Sequence, residues 1–158
     1  MLYSKEIMKH FRHPRNVGEM KNYDGLGKVG NPICGDILWL YIKVGKDKKG
    51  KEIIKRASFS TFGCTVAIAN SSLITTQVRG KTLEETMKVT KEDLLKELKN
   101  VPPIKIHCSL LAVDALFEAI YDYLLKNKKS IPKELKEKHK RIEKEKKEIE
   151  KKYEKWMK

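Results

Sequence analysis

ILWLYIKVGKDKKGKEIIKRASFSTF, residues 37–62, decides the fold. Its opening run, Ile37–Val44, is almost wholly β-branched, aromatic or aliphatic, the composition of a strand that packs one face. GKDKKGK, residues 45–51, is an exposed turn, and Ile53–Phe62 is the returning strand. The two form an antiparallel hairpin, a sheet that covers one face with helices and leaves the other to solvent. Trp39 and Tyr41 alternate within the first strand and read as packing residues. Just upstream, DGLGKVG at residues 24–30 offers a third short strand. Gly25, Gly27 and Gly30 make no dinucleotide fingerprint, because no strand–turn–helix frame surrounds them.

Helices flank this hairpin. Ser4–Phe11 places Ile7, Met8 and Phe11 on one face, and His13-Pro14 ends the segment, since the residue before a proline is pushed out of the helical region. His10 and His13 read as surface or turn residues. After Gly63-Cys64, residues 65–80 (TVAIANSSLITTQVRG) align Val66, Ala69, Leu73, Ile74 and Gln77 on one side, with Gly80 as the stop. Thr82 with Glu85 forms a capping box, and Thr90 with Asp93 repeats the signal. The helix after Thr90 must end before Pro102-Pro103. Ser109–Leu125 is strongly amphipathic: Leu110, Val113, Leu116, Phe117, Ile120 and Leu124 line one face and Asp114, Glu118 and Asp122 the other. Strands first and helices second specify an α+β fold, a small antiparallel sheet of about three strands covered on one face by helices. No internal repeat is present.

The chain has 158 residues and a formal net charge of +14. With 40% apolar residues it has enough for a core. No run approaches the ~18 apolar residues of a membrane span, and the N-terminus lacks the apolar region of a secretory signal. A cytoplasmic, membrane-free protein is expected. The charge is uneven. Residues 126–158 carry 15 Lys+Arg against 7 Glu, or +8, leaving +6 for residues 1–125. Two units follow: a domain at 1–125 and a charged, helical extension at 126–158. In the extension Leu135, Ile142, Ile149 and Trp156 recur every seven residues, a thin apolar stripe on an otherwise Lys/Glu helix, with His139 in the solvated part. Such a helix packs on the body, pairs with another chain to give an oligomer, or stays solvated. Interspersed glutamates and scarce aromatics argue against a nucleic-acid partner.

Three cysteines remain: Cys34, Cys64 and Cys108. The odd count argues against a disulfide framework, and no C-x-x-C pair is present. Cys34 lies in a Pro- and Gly-bounded loop, Cys64 at a strand-to-helix junction, and Cys108 at the start of the long amphipathic helix. Helix N-termini favour thiolate over thiol, the form that binds metal or attacks a persulfide. Asp36 lies two residues beyond Cys34, and His107 precedes Cys108. Read on their own, the cysteines are either buried inert thiols or part of a zinc or Fe–S ligand set.

The chain resembles the IscU/NifU N-terminal family of iron–sulfur cluster assembly scaffolds. The resemblance rests on Tyr3-Ser4 with His13-Pro14-Arg15-Asn16-Val17-Gly18, on GKVGNPICGD at 27–36, and on Thr61-Phe62-Gly63-Cys64 with Ala67-Ile68-Ala69. It continues through Gly80–Glu85 and VPPIKIHCSLLA at 101–112, and spans residues 3–125 in order. It implies that Cys34, Cys64 and Cys108 hold a transient 2Fe-2S cluster, with Asp36 or His107 as a further or alternative ligand. It also implies that Asp36 makes the cluster labile, that Cys108 first accepts persulfide sulfur, and that Lys105 modulates ligation. The implied partners are a cysteine desulfurase, an iron donor and apo acceptor proteins, and the protein is a scaffold, not an enzyme that turns over. Val101–Lys105 resembles the Leu-Pro-Pro-Val-Lys segment bound by a DnaK-type chaperone, with Val101 and Ile104 as departures. Thr65-Val66 stands where the family has Gly-Ser. A related subgroup accepts sulfur on zinc, which fills the same site. It carries an insertion between the second and third cysteines and lacks the histidine. Here 43 residues separate Cys64 from Cys108, too few for the insertion, and His107 is present.

Overall fold

Alternating burial in the hairpin orders everything else. A computed structural model of the chain describes residues 3–30 and 35–157, the last five through the backbone alone. Strands β1 (Gly25–Gly30), β2 (Ile37–Lys46) and β3 (Glu52–Phe62) form one antiparallel sheet in the order β1-β2-β3. Leu38, Leu40 and Ile42 of β2 and Ile54, Ala57 and Phe59 of β3 point to the core, with Leu40 opposite Phe59. The register shifts between Lys43 and Val44, a bulge that twists the pair. In the turn, Asp47 Oδ1 accepts from the backbone N–H of Lys49 and of Lys51, and Gly50 supplies a positive φ of 83°.

Helices cover one face. They are α1 (Lys5–Arg12), α2 (Thr65–Val78), α3 (Leu83–Thr86), α4 (Lys91–Leu98) and α5 (His107–Lys126), with a 3₁₀ turn at Pro103–Lys105 leading into α5. Ser4 caps α1, and Thr82 and Thr90 each close a full capping box, as the spacing predicts. The α5 helix begins at His107, two residues before the expected start. The α2 helix is more than one-sided: Asn70, Ser71, Ser72 and Thr75 are buried along with Val66, Ala69 and Ile74. It is a central helix whose polar side chains bond mostly to its own carbonyls (Asn70 to Val66, Ser71 to Ala67), so burial leaves them satisfied. His10 is half-buried, with Nδ1 2.8 Å from Ser72 Oγ, which corrects its reading as a surface residue. Among the described residues no helix is long and apolar enough to cross a membrane.

The glycines of β1 find their reason here. A Cβ on Gly27 would lie 1.9 Å from the carbonyl oxygen of Ala115, and one on Gly25 would lie 2.2 Å from that of Ala119. Helix α5 therefore rests on β1 backbone to backbone, with small residues on both sides.

A sixth helix, α6 (Lys133–Met157), runs along α5 in the opposite direction, with Arg141 against Asp114 and His139 against Glu118. Leu135 and Ile142 are buried, and Ile149 Cδ1 reaches within 3.6 Å of where a Gly30 side chain would begin. Two expectations need correction. Asp114 and Glu118 do not face water but are buried under α6. His139 is half-buried instead of solvated: its Nδ1 lies 2.9 and 3.0 Å from the two Glu118 oxygens, and its ring stacks on Tyr121 at 3.8 Å. Local periodicity assigns a polar face to solvent and does not register a later helix that covers it. Burying Leu135 and Ile142 contributes about 2 kcal/mol each, whereas buried ion pairs return little beyond their desolvation cost. The apolar residues thus drive docking, and the pairs fix its register.

Candidate metal centre

The end of β3 and the starts of α2 and α5 converge on one spot. Phe62 closes β3, Gly63 is the only link, and Cys64 is the N-cap of α2. In that position a side-chain acceptor binds a free N–H of the first turn, and Cys64 Sγ does so, accepting from Ala67 N at 3.4 Å. Cys108 is the second residue of α5, fully buried, with its sulfur 3.6 Å from that of Cys64. His107 Nε2 lies 3.6 Å from Cys108 Sγ, and Asp36 Oδ2 lies 3.9 Å from it. The ligand atoms of Asp36, His107 and Cys108 all fall within 4.8 Å of one another.

Two side chains outside this set fix its dimensions. Ser109 Oγ donates to Asn70 Oδ1 at 2.7 Å, and both residues are buried. This bond ties the first turn of α5 to the second turn of α2, one turn away from the two sulfurs, and so helps to set their separation. Neither residue stands out as a site residue from the sequence. The available signal is an amide among the small and apolar residues of the first two turns of α2. Gly63 matters for space: a Cβ there would lie 2.8 Å from Ala67 Cβ and 3.5 Å from Asp36 Cγ. Tyr3, Val66, Ala67 and Val101 pack around the two sulfurs as an apolar floor.

The electrostatics favour anionic sulfur. The Cys64 thiol is pushed down to about 5. The bond from Cys108 is the largest cause, followed, against opposition from burial, by the N–H groups of Ala67 and Val66 and by the charge of Lys105. Lys105, in the 3₁₀ turn, is raised in return, chiefly by Cys64 and also by Cys108, Tyr3 and Asp36. Two thiols, a carboxylate and an imidazole are donors of the kind that hold zinc or iron. Metal–sulfur bonds of about 2.3 Å at a tetrahedral angle put two sulfurs roughly 3.8 Å apart, close to the spacing here. Of the expected set, Asp36, Cys64, Lys105, His107 and Cys108 are brought together. Cys34 lies outside the described residues.

Residues 2–130 match the family described as the NifU-like N terminal domain. A protein of Archaeoglobus fulgidus named as an iron-sulfur cluster assembly scaffold protein is 48% identical over 128 residues, 81% of this chain and 80% of its own. One of the same description from Rickettsia prowazekii is 48% identical over 134 residues, 82% of this chain and 98% of its own. Among solved structures, the N-terminal part of a nitrogen-fixing NifU-like protein from Brucella abortus superposes with a TM-score of 0.64. It covers 79% of this chain and 96% of that one at 17% identity, a likeness of fold.

Proposed function

Since the chain belongs to the NifU-like N terminal domain family, we propose that it is a scaffold on which an iron–sulfur cluster is assembled and from which it is passed on. The observation that carries this reading is the 3.6 Å approach of Cys64 and Cys108 beside Asp36 and His107. The cargo is a 2Fe-2S cluster held by Cys34, Cys64 and Cys108, with Asp36 or His107 closing the set. A hard carboxylate among thiolates binds less tightly than a fourth thiolate, which suits a cluster that must leave. Residues 1–125 are the scaffold unit and 126–158 its extension.

Sulfur arrives from a cysteine desulfurase as a persulfide. Cys108 passes the proton it shares with Cys64 to the Cys64 thiolate; as a thiolate it attacks the terminal sulfur, a new S–S bond forms at Cys108, and the desulfurase leaves as a thiolate. Two electrons from a thiol or iron–sulfur reductant then release sulfide to the iron brought by a donor protein. Lys105 holds positive charge over the thiolates during this exchange. Phe62 and Ile104, exposed at 72% and 78% beside Cys64 and Lys105, give partners an apolar rim to grip. The cluster passes to apo acceptor proteins in the cytoplasm, and Val101–Lys105 is the segment a DnaK-type chaperone would engage.

Anaerobic reconstitution with iron, cysteine and a desulfurase tests the reading. Visible charge-transfer absorption should appear and should be lost in Cys108→Ser. No absorption, or absorption unchanged by that substitution, overturns it. Asp36→Ala should slow cluster loss to an apo acceptor by about tenfold, scored by the decay of the same band. A second reading, a zinc-containing sulfur acceptor, is supported by the near-tetrahedral sulfur spacing. Metal analysis of anaerobically purified protein separates the two, with stoichiometric zinc that iron and sulfide fail to replace favouring the second.

A further inference from the structure

The seam between α5 and α6 holds a second convergent group of ligand atoms, far along α5 from the thiols. Glu118 projects from α5, and His139 and Glu143 project from α6, with their ligand atoms within 4.8 Å of one another. His139 and Glu143 stand four residues apart, the spacing that turns two ligands of one helix toward a single ion. Glu118 faces them from the neighbouring helix and is buried, with its side chain 7% exposed. Tyr121 stacks on the His139 ring and fixes its plane.

Nδ1 of His139 is 2.9 and 3.0 Å from the two Glu118 oxygens. Adjacent ligands on an octahedral ion with bonds of about 2.1 Å are roughly 3.0 Å apart. These are also ordinary hydrogen-bond lengths, so His139 and Glu118 can exchange their shared proton for an ion with little movement, and Glu143, within 4.8 Å of both, closes the set. We propose that Glu118, His139 and Glu143 bind one divalent first-row cation of the Mn2+, Fe2+ or Zn2+ class in this seam, separate from the thiol site. One imidazole and two carboxylates, without thiolate, select that class over soft ions such as Cu(I). On binding, Nδ1 gives up its proton, which moves to Nε2 in a neutral imidazole or leaves to solvent from an imidazolium. The ion joins α5 to α6. Lys146 opposes it, since its Nζ lies 3.6 Å from a Glu143 oxygen and must swing away. This site does not depend on the scaffold reading.

Manganese titration of the anaerobic full-length protein, followed by loss of the free-ion paramagnetic resonance signal, tests the proposal, because Mn2+ avoids thiolate sites. One ion per chain is expected. Glu143→Gln and His139→Gln should each weaken binding by about tenfold or more, Lys146→Ala should tighten it, and Cys108→Ser should leave it unchanged. Glu143 has Lys146 as its ion-pair partner, an i,i+3 pair at the surface, so Glu143→Gln reads the site even where His139→Gln loosens α6. Added Zn2+ should also shift the His139 Nδ1 resonance in nitrogen-detected NMR. No bound manganese, binding indifferent to both ligand substitutions, binding lost in Cys108→Ser, or an unmoved Nδ1 resonance overturns the proposal.

Discussion

Cys64 serves two purposes at one atom. Its sulfur caps α2 through Ala67 N and faces Cys108, so charge on it is stabilised twice. With the thiol pushed down to about 5, Cys64 is already thiolate at neutral pH. Alkylation of its peptide by iodoacetamide, mapped by mass spectrometry, should hold a plateau from neutral pH down to about 6 and fall as pH drops through about 5. In Cys108→Ala the largest stabilising bond is gone, so the midpoint should move upward. A midpoint in the ordinary thiol range for the unmodified chain would contradict this account. Asn70 and Ser109 act one step further back: they supply no atom of the thiol site, yet their bond sets where α5 begins relative to α2.

At the scale of elements, contact between α5 and β1 is the tightest joint. Gly27→Ala places a methyl 1.9 Å from a carbonyl oxygen of Ala115, a clash that only a shift of the whole helix relieves. It should cost about 3 kcal/mol in urea unfolding. Gly30→Ala on the same strand, with 3.5 Å to its nearest neighbour, should cost under about 1 kcal/mol. Equal losses would mean the joint is not where the fold is held. Strands, caps and most helix limits were legible from the sequence, because each depends on residues a few positions apart: the alternation of Leu38, Leu40 and Ile42, or Thr82 with Glu85. The grouping of Cys64 with Asp36, His107 and Cys108 was legible only through the family resemblance, since no local rule relates residues 36, 64 and 108. The glycine joint and the Asn70–Ser109 bond were not legible. Both are contacts between distant segments, and a glycine in a strand looks the same whether it lines a turn or lies beneath a helix. The buried state of Asp114, Glu118 and His139 was hidden for the same reason.

Over the whole molecule, the charged extension is a docked layer rather than a free tail, at least through Ile149. Its cost is written into the carboxylates beneath it. Burial raises the Asp114 carboxyl above its ordinary value, against the pull of Arg141, and raises Glu118 against the pull of His139. A carboxyl raised on folding holds its proton more tightly in the folded state. Its stabilising contribution is therefore present at acid pH and is lost as pH climbs through the carboxylate range. Asp114→Asn removes that loss for one group. Its stability relative to the unmodified chain should improve between about pH 4 and pH 7 in urea titrations, and a relative decline over that interval would refute the sign. The order of the elements along the chain adds time to this picture. Synthesis at about 5–20 residues per second makes α5, and with it the residues that supply sulfur, carboxylate and imidazole, a few seconds before the end of α6. Every side chain of the thiol site is therefore made before the helix that buries Asp114 and Glu118, so covering α5 is the later event in the chain's own order.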